Sequence, residues 1–287
     1  MLVNAAAACH ASLPSPAPWR ARLELVYEKR GARTVLVRRS HAGPLVVQKS
    51  LYPEGDAPCQ NVVVHPPGGI AGGDELHLSA TVAAGAHVQF TTPGASKWYR
   101  SAGATAQQTV ELRVGASAVV EWLPQETVVF DGAIAKLHTR VDLLPGASFI
   151  GWDVICLGRT AGGERFVHGR LRQELELWSQ DTLVWTERSL MDGDAQLLHS
   201  PLGLQGQPVF GTFIAAGGPV DDETLNLCRG IAAVSGEVGT TRLPGVLLAR
   251  YRGASTEAAR ACFVALWSVV RPRLVGRAAV APRIWNT

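Results

Sequence analysis

A spacing of about 30 residues between near-identical turns constrains this 287-residue chain more than any other feature. Three strings carry it: Val82-Ala83-Ala84-Gly85-Ala86-His87-Val88, Leu112-Arg113-Val114-Gly115-Ala116-Ser117-Ala118 and Leu143-Leu144-Pro145-Gly146-Ala147-Ser148-Phe149. A period of that length marks stacked supersecondary units. Each string joins two alternating segments, 75–82 to 87–90, 109–112 to 119–122 and 137–143 to 149–152. Glycine supplies the positive φ that a tight connection needs without a Cβ clash. Each unit is therefore expected to be a hairpin: strand, Gly turn, strand. Segments 172–178 and 183–187 form a fourth hairpin around Gln180-Asp181, and 22–27 with 34–37 an earlier one around Arg30-Gly31. One hairpin cannot bury its apolar face alone, but a stack of them can. The predicted fold is mainly β: an elongated stack of β-hairpin repeats, helix-like or sandwich-like.

The tail follows a different pattern. Ser255-Thr256-Glu257 is a helix start, and residues 258–270 keep helical periodicity until Pro272 stops it. Residues 222–238 form a second predicted helix, and this C-terminal α-helical segment (about 222–275) caps one side of the stack. No linker separates stack from tail, so residues 19–287 read as one domain. Residues 1–18 carry Pro14, Pro16 and Pro18 after a short alanine run without a basic stretch, which suits a disordered leader rather than a signal peptide.

Charge and cysteine usage exclude several classes. The net charge is +3, and basic residues alternate with acids along the strands instead of forming a stripe, which argues against nucleic acid. Cys9, Cys59, Cys156, Cys228 and Cys262 are odd in number and far apart, so a disulfide framework or structural zinc site is not expected. That usage fits a reducing cytoplasm. Apolar runs fall far short of the roughly 20 residues that cross a bilayer, so no membrane association is expected.

The string His65-Pro66-Pro67-Gly68-Gly69-Ile70-Ala71-Gly72-Gly73-Asp74-Glu75-Leu76 contains nearly the signature of a nucleotide cyclase that makes cyclic di-GMP. The strand-rich sequence that follows lacks the alternating helices such a domain needs, and no Gly-Lys-Ser/Thr makes it a phosphate loop. The glycines read as a bend into the first strand of the stack. Asp74 either caps that turn or projects into the stack, where burial demands a partner.

Further polar residues stand at comparable places in the repeat. Ser96 and Lys97 lie in the donor-rich segment Thr92-Pro93-Gly94-Ala95-Ser96-Lys97-Trp98-Tyr99-Arg100, and Glu126 sits one repeat on, at the same spacing from Gly115 as Ser96 from Gly85. Asp153 is wedged in Gly151-Trp152-Asp153-Val154-Ile155-Cys156, and Glu187 follows Val184-Trp185-Thr186. If stacking brings equivalent positions into register, Asp74, Ser96, Lys97, Glu126, Asp153 and Glu187 line one interior channel. Isolated acids in a dry core are costly, so a water-filled passage accommodates them better. Carboxylates on stacked β-coils also suit a carbohydrate-active hydrolase or lyase. Against it, no aromatic groove pattern, G-x-S-x-G, H-E-x-x-H or Cys–His constellation is present, and the eight histidines lack metal-ligand spacing.

With these residues in place, the chain resembles the urease accessory protein family UreD, also called UreH, from about Trp19 to the C-terminus. The likeness rests on Gly43-Pro44-Leu45, Tyr52-Pro53-Glu54-Gly55, the His65–Asp74 string, the Thr92–Arg100 segment, Leu123-Pro124-Gln125-Glu126-Thr127, Phe130-Asp131-Gly132-Ala133 and the ending Leu266-Trp267 … Arg271-Pro272-Arg273-Leu274 … Pro282-Arg283-Ile284-Trp285. It implies a non-enzymatic cytoplasmic scaffold with a β-helical stack and C-terminal helices. Such a protein binds the urease apoprotein and UreF, which recruits the GTPase UreG. It holds no permanent cofactor and passes Ni²⁺ transiently through an internal tunnel. Residues proposed to line that tunnel fall on Asp74, Ser96 with Lys97, Asp153 and Glu187, with transient metal contact at the three acids; Glu126 rests on spacing alone. Oxygen ligands hold Ni²⁺ less tightly than imidazole or thiolate, and a conduit needs weak repeated sites. The lining is accordingly expected to lack Cys and His. A plain adaptor that opens urease without carrying metal is the alternative within the same fold.

Overall fold

The computed structural model describes residues 18–286. Residues 1–17, most of the expected leader, lie outside the described residues. The strands, in chain order, are β1 (Arg20–Arg30), β2 (Arg33–Ala42), β3 (Val46–Val47), β4 (Cys59–Val64), β5 (Glu75–Val82), β6 (His87–Thr91), β7 (Ser96–Trp98), β8 (Ala106–Val114), β9 (Val119–Leu123), β10 (Thr127–Val129), β11 (Ile134–Leu143), β12 (Ser148–Leu157), β13 (Arg170–Ser179), β14 (Thr182–Asp192), β15 (Val209–Ala216), β16 (Glu237–Leu243) and β17 (Val246–Gly253). The α-helices are α1 (Gln196–His199), α2 (Asp222–Arg229) and α3 (Thr256–Val275).

The predicted β stack with a C-terminal helix is present, but the Gly-Ala turns are corners, not hairpins. β5, β8, β11 and β13 pair with one another in parallel in one sheet, ordered β14-β13-β11-β8-β5-β1-β2. β6, β9 and β12 pair in parallel in a second sheet, ordered β16-β17-β15-β12-β9-β6-β4-β3, with β10 beside β12 and β7 beside β10. A chain leaving β5 thus crosses into the opposite sheet as β6, and the repeat winds as a two-sheet coil. Each corner is closed by one backbone bond, in which Ala86 N donates to Ala83 O, Ala118 N to Gly115 O, and Ala147 N to Leu144 O. The left-handed residues are Gly85, Ser117 and Gly146, at φ 66°, 54° and 71°. In the second corner, then, a serine occupies the left-handed place. Gly115 is needed for space instead: a Cβ there would lie 2.7 Å from the carbonyl oxygen of Val82. True antiparallel hairpins occur where the sequence placed the outer two, β1–β2 and β13–β14.

The inward faces of the two sheets supply the main core, with Leu23, Tyr27, Phe90, Leu112, Val120 and Phe149 among its buried members. The outward face of the second sheet is covered by α3. There Trp152, Phe213, Phe263 and Trp267 pack in one aromatic cluster, joined by Trp285. Ser255 caps α3 by accepting from Ala258 N. Against the sequence expectation, α3 runs through Pro272 to a left-handed Gly276. An interior proline removes one N–H bond and crowds the carbonyl one turn back, but Arg271 immediately before it is pinned by two carboxylates, which holds this turn in place. The helix expected over 222–238 is shorter as well. α2 stops before Gly230, and Glu237 already pairs with Arg252 in β16–β17. No helix among the described residues is long and apolar enough to cross a membrane.

Candidate functional site

Two consecutive inward rows of the first sheet form one wall of a cavity of about 500 Å³. One row is Leu76, Gln108, Leu137 and Gln173; the next is Leu78, Val110, Thr139 and Leu175. The opposite wall comes from the second sheet, including Trp122, Phe149, Gly151, Asp153, Thr212 and Ile214. The cavity spans four parallel strands, β5 to β13, about 14 Å at the usual strand spacing. It opens where the exposed lining residues Gly68, Pro93, Gly94 and Lys97 gather.

The six residues singled out in the sequence are distributed unevenly about this space. Ser96, Lys97 and Asp153 line it; Asp74, Glu126 and Glu187 are not among its lining residues. Asp74 is buried, and both its oxygens hold backbone N–H groups, Oδ1 that of Trp19 and Oδ2 that of Ala71, each at 2.8 Å. It fastens the start of β1 to the turn before β5. The spacing argument for Glu126 is off by one residue. Ser96 stands in register with Thr127, not Glu126. A one-residue slip in a strand turns a side chain to the other face. Thr127 therefore lines the cavity with Ser96, while Glu126 pairs with Arg260 of α3 at 3.2 Å.

Asp153 and Glu187 are brought together. On β12, Asp153 stands opposite Thr212 of β15, and the Thr212 hydroxyl lies 3.2 Å from both carboxylate oxygens of Glu187 on β14. Gln173 Nε2 donates to Asp153 Oδ2 at 2.6 Å. Asp153 Oδ1 is buried with no hydrogen-bond partner, as are Trp185 Nε1 and Ser189 Oγ, which flank Glu187 on the same face of β14. Burial first, and the Glu187 charge second, push the Asp153 carboxyl up to about 7, with the Gln173 bond pulling partly back. Glu187 is also within 3.4 Å of Arg250 Nε. This end of the cavity thus offers one carboxylate, a hydroxyl and an amide, with the Glu187 carboxylate behind the hydroxyl. Chemically it can take up a proton or a hydrated divalent cation.

The expectation that the lining lacks histidine is corrected: His65 lines the cavity at its open end. Its Nε2 is buried and unpartnered. Burial lowers its pKa, with the charge of Asp74 acting in the opposite sense, so the ring is neutral at physiological pH. Among the described residues, no group of three or more His, Cys, Asp or Glu is arranged to hold a metal ion.

Sequence reasoning also missed Gln173, Thr212 and a second polar cluster. Gln173 was legible, because it takes the place of an apolar residue in the inward phase of Leu171, Leu175 and Leu177. The second cluster sits on the outward side of the second sheet, under α3. Glu121 and Arg271 are fully buried there. Arg271 binds Glu121 at 3.0 Å and Glu54 at 2.8 Å, while Trp267 Nε1 donates to Glu121 and His87 Nε2 meets it, both at 2.7 Å. Burial pushes the Glu121 carboxyl up, but the bonds and charges of His87 and Arg271 together outweigh it and hold it low.

Comparison with known proteins places these features in context. The family model described as UreD urease accessory protein matches residues 20–286. The chain is 52% identical over 281 residues to the urease accessory protein UreD of Dechloromonas aromatica (strain RCB), covering 96% of this chain and 98% of that protein. It is 49% identical to that of Azoarcus sp. (strain BH72), covering 98% and 97%, and 47% identical to that of Methylobacillus flagellatus, covering 94% and 95%.

Proposed function

This chain belongs to the UreD family of urease accessory proteins, and we propose that its inter-sheet cavity is the passage by which Ni²⁺ reaches the urease apoprotein. In this reading the protein is a non-enzymatic cytoplasmic scaffold that binds urease and UreF, with UreG recruited through UreF, and nickel is cargo. One observation carries it: a single cavity crosses four turns of the coil and reaches a paired, incompletely satisfied carboxylate site. A static core would not keep Asp153 beside Glu187 with an oxygen unpaired, because that arrangement is destabilising. A hydrated divalent ion would supply the positive charge that Asp153 lacks, Glu187 already having Arg250 within reach.

The physical logic is that of a pore. Asp153, Glu187 and Thr212 present hard oxygen donors that bind Ni²⁺ weakly enough to release it. On the two middle strands Val110 and Leu137 offer no ligand, and the polar side chains beside them, Gln108 and Thr139, are neutral and hold a divalent ion only weakly. In a reconstituted maturation with UreF, UreG and urease apoprotein, Asp153→Ala or Glu187→Ala leaves the complex with UreF assembled and lowers the nickel content of urease. Wild-type nickel in urease matured by both variants refutes the passage. Thr139→Trp fills the cavity and separates this reading from a plain adaptor, which would tolerate it.

A further inference from the structure

The cavity opens at one end, and a passage needs two mouths. At the far end its lining stops at Asp153, Gln173 and Thr212. Beyond them the second sheet continues through β15 and β17 to β16, its edge. The ladders set Asp153 opposite Thr212, Thr212 opposite Arg250, and Arg250 opposite Gly239. Residues directly opposite in an antiparallel pair share a face. Asp153, Thr212, Arg250 and Gly239 therefore form one inward-facing track from the cavity to the rim of β16.

β14 lies over this track. Glu187 accepts the hydrogen bond of Thr212 and stands 3.4 Å from Arg250 Nε, and the Arg250 guanidinium lies 5.8 Å from the centre of the Trp185 ring. Trp185 Nε1 and Ser189 Oγ, on either side of Glu187, are enclosed without partners, as is Asp153 Oδ1. Buried unpaired polar atoms are rare and call for water or an ion. Three of them along one short track mark a path that is polar but shut. What shuts it is slight. The Arg250 side chain is 59% exposed and reaches Glu187 alone among the described carboxylates, whereas Arg271 is buried between two. Across from Arg250 there is room, since a Cβ at Gly239 would meet nothing within 4 Å.

We propose that the far mouth of the passage lies between β14 and β17, and that the Arg250 side chain, held over it by Glu187, is its gate. This rests on the passage reading above. An exposed ion pair is weak and opens readily. The cargo itself favours opening. A divalent cation arriving at Asp153 competes with the guanidinium for Glu187, and repulsion between like charges turns Arg250 outward. The gate stays shut over an empty passage and yields to a filled one.

The test places a cysteine behind the gate, Ser189→Cys in the full chain, and measures its labelling by a cationic methanethiosulfonate through peptide mass spectrometry. The buried native Cys59, Cys156, Cys228 and Cys262 report in the same sample whether the fold is intact. Labelling should be slow while Arg250 is present. Adding Arg250→Ala should speed it at least roughly fivefold, the equilibrium weight of one partly exposed ion pair, with the native cysteines unchanged. Adding Gly239→Trp as well should slow it again, because the indole covers the same mouth from an ordinary strand position. Trp185→Cys is the second reporter if Ser189→Cys folds poorly, and Arg250→Gln replaces Arg250→Ala if that variant exposes the native cysteines. Labelling indifferent to Arg250, or already fast with Arg250 in place, overturns the assignment. If labelling is indifferent to Arg250 while urease matured with Asp153→Ala is nickel-poor, the passage stands and its far mouth lies elsewhere. If labelling answers to Arg250 but urease is fully loaded by both the Asp153→Ala and Glu187→Ala variants, the cleft opens without carrying nickel, and the passage itself fails.

Discussion

Asp153→Asn should make this protein more stable at neutral pH while impairing its task. The carboxyl ionises at about 7 in the folded chain, against an ordinary 3.8. A displacement of that size corresponds to about 4 kcal/mol at most. Contact with the cavity lets water relieve part of that, so about 2–4 kcal/mol is the expected gain. The sign follows from proton binding. Between about 3.8 and 7 the folded state holds the proton more tightly than the unfolded state, so stability falls as pH rises through that window and levels off above it. Asparagine keeps the carbonyl that accepts from Gln173 and removes the repulsion by Glu187. Denaturation of both proteins from pH 4 to 8 should show the variant ahead by several degrees in Tm at about pH 7.5. The gap should close toward about pH 4. A variant less stable than the parent at the upper end of that range, or a gap independent of pH, would refute the claim that Asp153 is held against its ionisation preference.

Two other substitutions probe the frame around the cavity. Arg271→Ala leaves Glu121 and Glu54 facing each other without their guanidinium, and should destabilise by about 3–5 kcal/mol; near-ultraviolet circular dichroism should report loosening of Trp152, Trp267 and Trp285. Asp74→Ala removes the acceptor of two backbone N–H groups and should destabilise by about 1–3 kcal/mol. Faster amide exchange at Trp19 and Ala71 is the direct readout, and any loss of urease maturation should track the loss of folded protein.

The period of the corners made the stacked β architecture legible, because glycine and alanine recur wherever the coil turns tightly. What it could not settle was whether a turn returns a strand to its own sheet or hands it to the opposite one. Both outcomes show the same alternation and the same turn residues; they differ in long-range pairing, such as Leu78 with Val110 in place of Leu78 with a residue of β6. Site residues followed the same rule. Asp153 was recognisable as an acid in the inward phase of an apolar strand, and Gln173 could have been found by that criterion. Glu126 could not be placed by counting from glycines, since the second corner puts Ser117, two residues past Gly115, where the first puts Gly85, and the path from that corner to the Ser96–Thr127 pair is then one residue shorter. Partners 150 residues apart, Glu121 and Arg271, left no local trace at all.

The second sheet carries charged groups on both faces, and the contrast between them separates structure from function. On the outward face, each Glu121 oxygen meets Arg271, and His87 and Trp267 complete the set, so the cluster ties α3 to the coil. A buried network this well satisfied rigidifies its surroundings. On the inward face, Asp153 keeps one oxygen unpaired and stands beside a like charge, with orphaned Ser189 and Trp185 close by. Glu121 draws its partners from α3 and β6, and nothing among the described residues of β13, β14 or β15 gives Asp153 a comparable cation. Local violations of packing and pairing rules concentrate where a protein does its work. The proposed passage accordingly lies on the cavity face, and the satisfied network on the helix face is what would hold that cavity in shape.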